Sequence, residues 1–527
     1  MPALEHTANR LEELAKSILE VSRSPDDENE VAAILESMGW SDDRVSESFG
    51  ASDVFDLAKQ LWPVVKAGVF TQAMEAPPRD SLLVAMAKNI RNFLRGVMFA
   101  APMVISVLSM LTLRYSLWSY QYFSVDIATA MALGTLLSFS VTGGFTQAIA
   151  RRGLMYVGQG EYGMARRMTF LLIRLGVITA VVVGFVLFFA DTVFPVFPSS
   201  MMIIMLLYYS FLSAIWLSLT VFYMLQQEMV FTLLVSLGIG IVYVMHEIFR
   251  LAIIPSQVVA LGVVSVLNVF LAVWLFRRAE RRRETAEAPQ MPRLSIVAYT
   301  VLPYFGYGFL YFTFLFVDRV MAWSSHEMLM PYVIWFRGEY ELGLDWAIFA
   351  LVLPMGVVET VVVRFSETLI REQKAILAAR HMDFNRRYVA TYIRSLISYI
   401  FVTVVSGIAV YIMLLMVNRY GWFSEGPLMS NTTMFVFRWA VVAYCILAGS
   451  LLNCLLLFTL SLPTPAISAI TSALLVDVVV GFVLSRLGHY TFAIFGFVVG
   501  ALVFVVLTTR ATIKALSHLD FYLYSAS

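Results

Sequence analysis

The chain has 527 residues, of which 60% are hydrophobic and only 14% charged; that apolar share is too large for one soluble core to absorb. Its two cysteines, Cys445 and Cys454, lie nine residues apart in one apolar run and match neither a disulfide framework nor a metal motif. The formal net charge of +1 hides an asymmetry, because residues 1–80 hold sixteen Asp and Glu against seven Lys and Arg, a net −9 that leaves +10 for the rest.

The first ninety residues carry charges throughout and offer no short apolar stretch of the kind a secretory signal needs, so the N-terminus is expected in the cytosol. Ser24-Pro25-Asp26-Asp27 predicts a helix start with proline at the first helical position and acid in the first turn, and Gly39 a stop. Ser41 restarts a helix, Val45 and Phe49 give it an apolar side, Gly50 ends it, and residues 53–62 form a further amphipathic helix. Residues 1–80 thus read as a small acidic helical cytosolic domain, closed by a linker at 75–80 whose paired prolines cannot continue a helix. Its acidity suits a basic protein patch and argues against nucleic acid as a partner.

From about residue 92 the chain becomes a series of near-charge-free runs long enough to cross some 30 Å of hydrocarbon. Twelve spans are expected at 92–113, 126–149, 168–190, 199–225, 229–248, 254–276, 294–322, 343–363, 391–416, 434–460, 463–486 and 489–509. The fold class is therefore all-α: a polytopic membrane protein with two six-helix halves, 81–276 and 294–512, joined by a basic linker at 277–293 and ending in a tail at 513–527. Arg91 and Arg95 stand at span one, Arg151, Arg152, Arg166 and Arg167 between spans two and three, and Arg277, Arg278, Arg281, Arg282, Arg283 and Arg293 between six and seven. All fall on one side, which the positive-inside rule makes cytosolic, in a bacterial-type inner membrane with both termini inside. Tyr115, Trp118, Tyr120, Trp335 and Trp422 fit an aromatic belt at the opposite interface. Residues 366–388, too charged to span, alternate apolar and basic groups and are expected either to lie along the cytosolic membrane surface or to pack as a solvated helix on other loops.

The two halves show a faint internal echo. Thr142-Gly-Gly-Phe-Thr-Gln-Ala-Ile-Ala-Arg-Arg152 in span two and Pro354-Met-Gly-Val-Val-Glu-Thr-Val-Val-Val-Arg364 in span eight both run from glycine through a polar group to arginine, and spans one and seven carry Pro102 and Pro303. Twelve spans in two halves with a basic connection after span two resemble the multidrug/oligosaccharidyl-lipid/polysaccharide superfamily of MATE-like flippases and exporters. The stretch Pro303 to Ser325, with Asp318-Arg319 and Trp323, resembles span seven of the Pel exopolysaccharide transporter family. That resemblance covers residues 92–510, leaves the acidic domain as an addition, and implies a glycan or lipid-linked glycan as substrate.

Neither an HExxH motif, nor a metal-ligand spacing among the six histidines, nor a P-loop occurs. The chain is read as a non-enzyme without cofactor or metal, and transport would draw on ions, a gradient, or polymer synthesis beside it. Ionisable residues inside spans are costly, which makes them the candidate path or coupling groups. Asp477, near the middle of span eleven, is the leading ion-coupling candidate; the alternative is a structural bond to a neighbouring helix. Glu359 in span eight is a coupling carboxylate or the partner of a basic group near the interface. Asp318 and Arg319 are a path pair or a snorkelling pair at the headgroups. Arg174 in span three and Arg438 in span ten lie within snorkelling reach of a membrane face. Gly143 and Gly144 let helices approach, and the aromatic run from Tyr304 to Phe316 either packs or lines a path for sugar rings.

The chain therefore reads as an inner-membrane polysaccharide or lipid-linked glycan flippase that rocks its halves around a central cavity. A cation-coupled multidrug exporter and a membrane scaffold for a glycosyltransferase are the alternatives. Expected partners are the glycan, membrane lipids, and a cytosolic glycosyltransferase or other synthesis-complex subunit.

Overall fold

The structure, a computed structural model, describes residues 11, 13–19, 25, 27–71, 81–281, 293–325, 330, 332–373, 381–420 and 429–526. Among them twelve helices are long and apolar enough to cross a membrane: Leu83–Leu113, Val125–Gly158, Tyr162–Val193, Ser199–Met224, Glu228–Ile248, Ile253–Arg281, Leu294–Trp323, Gly338–Leu369, Met382–Arg419, Asn431–Thr459, Pro463–Leu487 and Tyr490–Ser517, spans one to twelve. The described residues contain no strand beyond one isolated bridge, Tyr115 to Tyr120.

Every expected span is present, and the differences lie at the ends. Apolar length marks the hydrocarbon, but arginine, glutamate and lysine are good helix formers and carry the helices on into the headgroup layer. Span two continues through Arg151 and Arg152 to Gly158, and span three opens at Tyr162 and takes in Arg166 and Arg167. Those four arginines stand on helix ends; the connection itself is only 159–161. For the same reason 366–373 extend the helix of span eight and 381–388 that of span nine, in place of a separate surface helix. The linker at 75–80, residues 282–292 with Arg282 and Arg283, and Trp422 lie outside the described residues.

The chain divides into two compact units. One comprises Met1–Asp80 together with Ser366–Ala390 and Leu516–Ser527. Its N-terminal helices Glu28–Ser37, Asp42–Phe49 and Val54–Thr71 enclose an apolar core of Ile18, Val31, Leu35, Val45, Leu57 and Leu61. Gly39 and Gly50 end the first two helices at φ 85 and 70, a left-handed conformation that costs glycine nothing. The first helix starts later than Ser24-Pro25 implies: Asp27 is its N-cap and accepts from the Glu30 N–H at 2.8 Å. Asn385 and Asp520 exchange two hydrogen bonds, tying the start of span nine's helix to the terminal helix Leu519–Ala526.

The other unit, Ser81–Phe365 with Thr391–Ala515, holds the membrane spans. Its halves meet where small residues let backbones touch. A Cβ added at Gly96 of span one would lie 2.8 Å from the Gly356 Cα of span eight and would collide with the Met355 carbonyl. A Cβ at Gly144 of span two would lie 2.7 Å from the Phe305 ring of span seven, and one at Gly143 would meet Phe312. The echoing glycines of spans two and eight are thus equivalent contacts, each facing the opposite half.

The connection 114–124 folds inward. Gln257 of span six donates to the Ser116 and Ser119 carbonyls at 3.0 and 2.9 Å and accepts from Tyr208 at 2.9 Å. This pins Tyr115 and Leu117 inside the first half, so Tyr115 is a buried plug rather than part of a lipid-facing belt. Backbone polar groups at membrane depth need protein partners, which explains why this loop is held by an amide side chain.

Two outcomes test this packing. Gly96→Ala should cost about 1–3 kcal/mol of stability by overpacking, read as a lower thermal unfolding temperature in detergent, while Gly306→Ala, where a Cβ meets nothing within 4 Å, should not lower it. In the first unit, the Glu30 N–H holds the Asp27 carboxyl below its ordinary value. A depressed carboxyl contributes stability above its unfolded value and loses it as pH falls through the folded one. At neutral pH Asp27→Ala should therefore speed amide exchange in Glu28–Ser37, and Asp27→Asn, which keeps the cap acceptor but not the charge, should speed it less.

Candidate functional site

Four carboxylates and one guanidinium gather inside the second half. Span seven contributes Asp318 and Arg319 near its end, span eight Tyr340, Glu341 and Asp345, span ten Tyr444, and span eleven Asp477. Asp318 and Asp477 are fully buried and Arg319 is 5% exposed. The pair at 318–319 is therefore not a snorkelling pair at the headgroups, because neither group reaches the surface.

Arg319 is the hub. Its Nε donates to Glu341 Oε2 at 3.0 Å, its Nη1 to the Leu315 carbonyl at 2.9 Å and its Nη2 to the Tyr444 hydroxyl at 3.1 Å. The guanidinium also stands 5.1 Å over the Phe316 ring and 3.7 Å from Asp318 Oδ1. Asp318 accepts the Tyr340 hydroxyl at 2.7 Å. Asp345 is one helical turn beyond Glu341, on the same face of span eight, and within electrostatic reach of Arg319.

Asp477 completes the cluster. It packs on span twelve through glycines: a Cβ at Gly496 would lie 2.6 Å from Asp477 Oδ1, and one at Gly500 would meet both the Asp477 Cβ at 3.0 Å and the Phe314 ring of span seven at 2.7 Å. It is close enough to Asp318 for the two carboxylates to interact electrostatically. Among the described residues neither Asp477 oxygen has a hydrogen-bond partner, nor do Asp318 Oδ1 and Glu341 Oε1. Buried polar atoms without partners are rare in folded proteins, and Asp477 has two of them on one carboxylate.

Glu359 belongs to a second group. Its Oε1 is 3.7 Å from Arg95 Nε of span one, which lies 2.7 Å from Glu228 Oε1 at the head of span five. Its basic partner thus comes from the opposite half, and Arg364, one turn further along span eight, is exposed. Arg151 and Arg152 also cross between the halves on this basic face: Arg151 donates to the Ser461 hydroxyl at 2.6 Å and stacks on Tyr304, and Arg152 donates to the Thr300 hydroxyl. Arg166 pairs instead within its own half, with Glu280 at 2.8 Å, and Arg167 is exposed.

Trp323, one turn past Arg319, is buried against Phe336 at 5.5 Å. Arg174 stands exposed on span three, and no ion pair joins it to either group. The aromatic run of span seven divides between partners: Phe312 and Phe316 pack on Phe139 of span two, Tyr304 and Tyr307 edge-to-face on Phe458 of span ten, and Phe314 on Phe497 and Phe504 of span twelve, while Phe309 is exposed. Tyr340, Glu341, Asp345 and Tyr444 are the site residues that sequence reasoning missed. Span eight was expected at 343–363, which left Tyr340 and Glu341 outside it; the helix opens at Gly338 and includes both.

This architecture is that of the MATE transporters, and the chain is a multi-pass membrane protein of that fold. The crystal structure of the Vibrio cholerae MATE transporter VcmN in the bent form matches 83% of this chain and 99% of its own, with 13% identity and a TM-score of 0.55. The eukaryotic MATE transporter AtDTX14 matches 82% of this chain and 98% of its own, with 14% identity and a TM-score of 0.54. An outward-facing multidrug resistance MATE family transporter of the MOP superfamily matches 81% and 96%, with 14% identity and a TM-score of 0.54. No protein-family model and no curated protein matches the sequence.

Removing one partner of a buried ion pair costs about 3–5 kcal/mol because it strands the other. Arg319→Leu should lower the thermal unfolding temperature far more than Tyr444→Phe, which removes a single hydrogen bond worth roughly 1 kcal/mol. Equal shifts for the two variants would show that the arginine does not organise the cluster.

Proposed function

We propose that the chain is an inner-membrane exporter or flippase for a polysaccharide or lipid-linked glycan, driven by proton coupling at Asp477. The observation that carries the reading is Asp477, a fully buried carboxylate in a membrane span with both oxygens unpartnered. Such a group is expensive in lipid unless it serves a coupling ion or a path. The fold supports transport, since its structural neighbours are transporters.

The two halves meet through glycines, through the Arg95–Glu359 pair and through a small apolar cluster of Ala148, Ile149, Leu172, Val297 and Val301. Protonation of Asp477, which packs beside span seven, alters the charge among helices that also touch the first half. Spans seven and eight make those contacts, so the change in charge has a direct mechanical route to the opposite half. The glycan cargo rests on the likeness of the Pro303 to Ser325 stretch to the Pel exopolysaccharide transporter family; a partly cationic polymer would suit acidic groups along its path. In this reading both termini and the basic face are cytosolic, and the acidic first unit receives a basic patch of a synthesis-complex subunit.

A deletion strain complemented with wild type, or with a Glu359→Gln, Asp477→Asn double variant, tests the proposal, with total and cell-surface polysaccharide measured together. Surface polymer should vanish in the deletion and stay absent with the double variant at equal protein level. Unchanged polysaccharide in the deletion, accompanied by ion-dependent drug sensitivity, would replace the glycan reading with multidrug export.

A further inference from the structure

On the basic face of the first half, a cavity of about 570 Å³ opens among the ends of spans two, three, four and six. Val157, Tyr162, Gln226, Gln227, Leu275 and Arg278 line it. Its polar groups are mainly donors: a guanidinium, two primary amides and a phenol. Gln226 sits in the left-handed conformation, φ 60, just past the end of span four, which turns the chain so that Gln226 and Gln227 both face the cavity.

Arg278 has no carboxylate partner among the described residues. Glu280, two residues on, is occupied by Arg166 at 2.8 Å, and Arg278 instead stands 5.2 Å over the Trp274 ring. The side-chain amides of Gln226 and Gln227 likewise make no hydrogen bond among the described residues. An unpaired cation beside free amide donors is the donor set for a phosphate.

What distinguishes this cavity from a general basic surface is the ridge below it. Val266, Phe270, Trp274 and Arg278 follow at intervals of four on one face of span six. Val266 is 69% exposed, Phe270 62% and Trp274 45%. The ridge runs from aliphatic through aromatic to cationic, the order in which a phospholipid presents acyl chain, glycerol region and phosphate.

We propose that this cavity is a binding site for the headgroup of an anionic phospholipid, with Arg278 on the phosphate, Gln226 and Gln227 donating to it, and the acyl chain lying along Val266, Phe270 and Trp274. The site lies within the first half, shares no residue with the carboxylate cluster, and does not depend on the transport reading.

The test uses the full chain in nanodiscs of phosphatidylcholine alone or mixed with phosphatidylglycerol, with retained lipid counted by native mass spectrometry and stability by thermal unfolding. Wild type should retain phosphatidylglycerol and be stabilised by it. Arg278→Ala should retain about fivefold less, the worth of one arginine contact at a membrane surface, and Gln227→Leu should also weaken retention. Arg281→Ala, an exposed arginine outside the cavity lining, should behave as wild type. Equal loss in Arg281→Ala would reduce the effect to diffuse basic charge and overturn the site. Full retention by a folded Arg278→Ala, equal retention of phosphatidylcholine, or displacement of the lipid by inorganic phosphate that stabilises the protein equally would also overturn it. Because lipid is counted directly, Arg278→Ala can fail here while surface polysaccharide is unaffected, which keeps this outcome separate from the export test.

Discussion

Arg319 carries a full charge inside a membrane-spanning helix and is only 5% exposed. A guanidinium in that position must find acceptors within the protein. It does so through three helices at once: the Leu315 carbonyl of its own span, Glu341 of span eight and Tyr444 of span ten. Phe316 covers one face of the guanidinium. The packing of the second half around this point follows from the need to keep the charge paired, since apolar contacts alone would allow these helices many rotations about their axes.

The same constraint leaves the cluster incomplete. One guanidinium faces Asp318 and Glu341, and Asp477 lies against the glycine surface of span twelve with no hydrogen-bond donor among the described residues. The glycines at 496 and 500 bring that helix close enough to exclude side chains that might have donated. A structural role would favour an asparagine or serine there, able to bond a neighbouring carbonyl. In the proposed export reading, Asp477 is the coupling group.

Contact between the halves obeys different physics. Lipid supplies little hydrophobic drive for helices to associate, so close approach and polar pairs have to supply it. Gly96 and Gly356 allow spans one and eight to touch, Gly143 and Gly144 do the same for spans two and seven, and the Arg95–Glu359 pair adds a charge contact on the basic face. Arg95 is held more closely by Glu228 in its own half, at 2.7 Å against 3.7 Å. The contact with Glu359 is thus the longer of the two, and its loss would leave Arg95 paired with Glu228.

Composition and hydropathy alone determined the all-helical class, the twelve spans, the side on which the arginines gather and the helix stops at Gly39 and Gly50. These are properties of single segments measured against lipid or water, so no neighbour is needed to read them. The acids at 318, 359 and 477 were legible for the same reason, since a charge in an apolar run stands out wherever it points. Only the tertiary structure decided which partner each would have. Glu359 meets an arginine 264 positions earlier, Asp318 and Arg319 turn inward instead of toward the headgroups, and Tyr340, Glu341 and Tyr444 join them from two other helices. Pairing across a membrane bundle depends on the rotation and approach of helices, which glycine contacts between distant segments set and which no local pattern records.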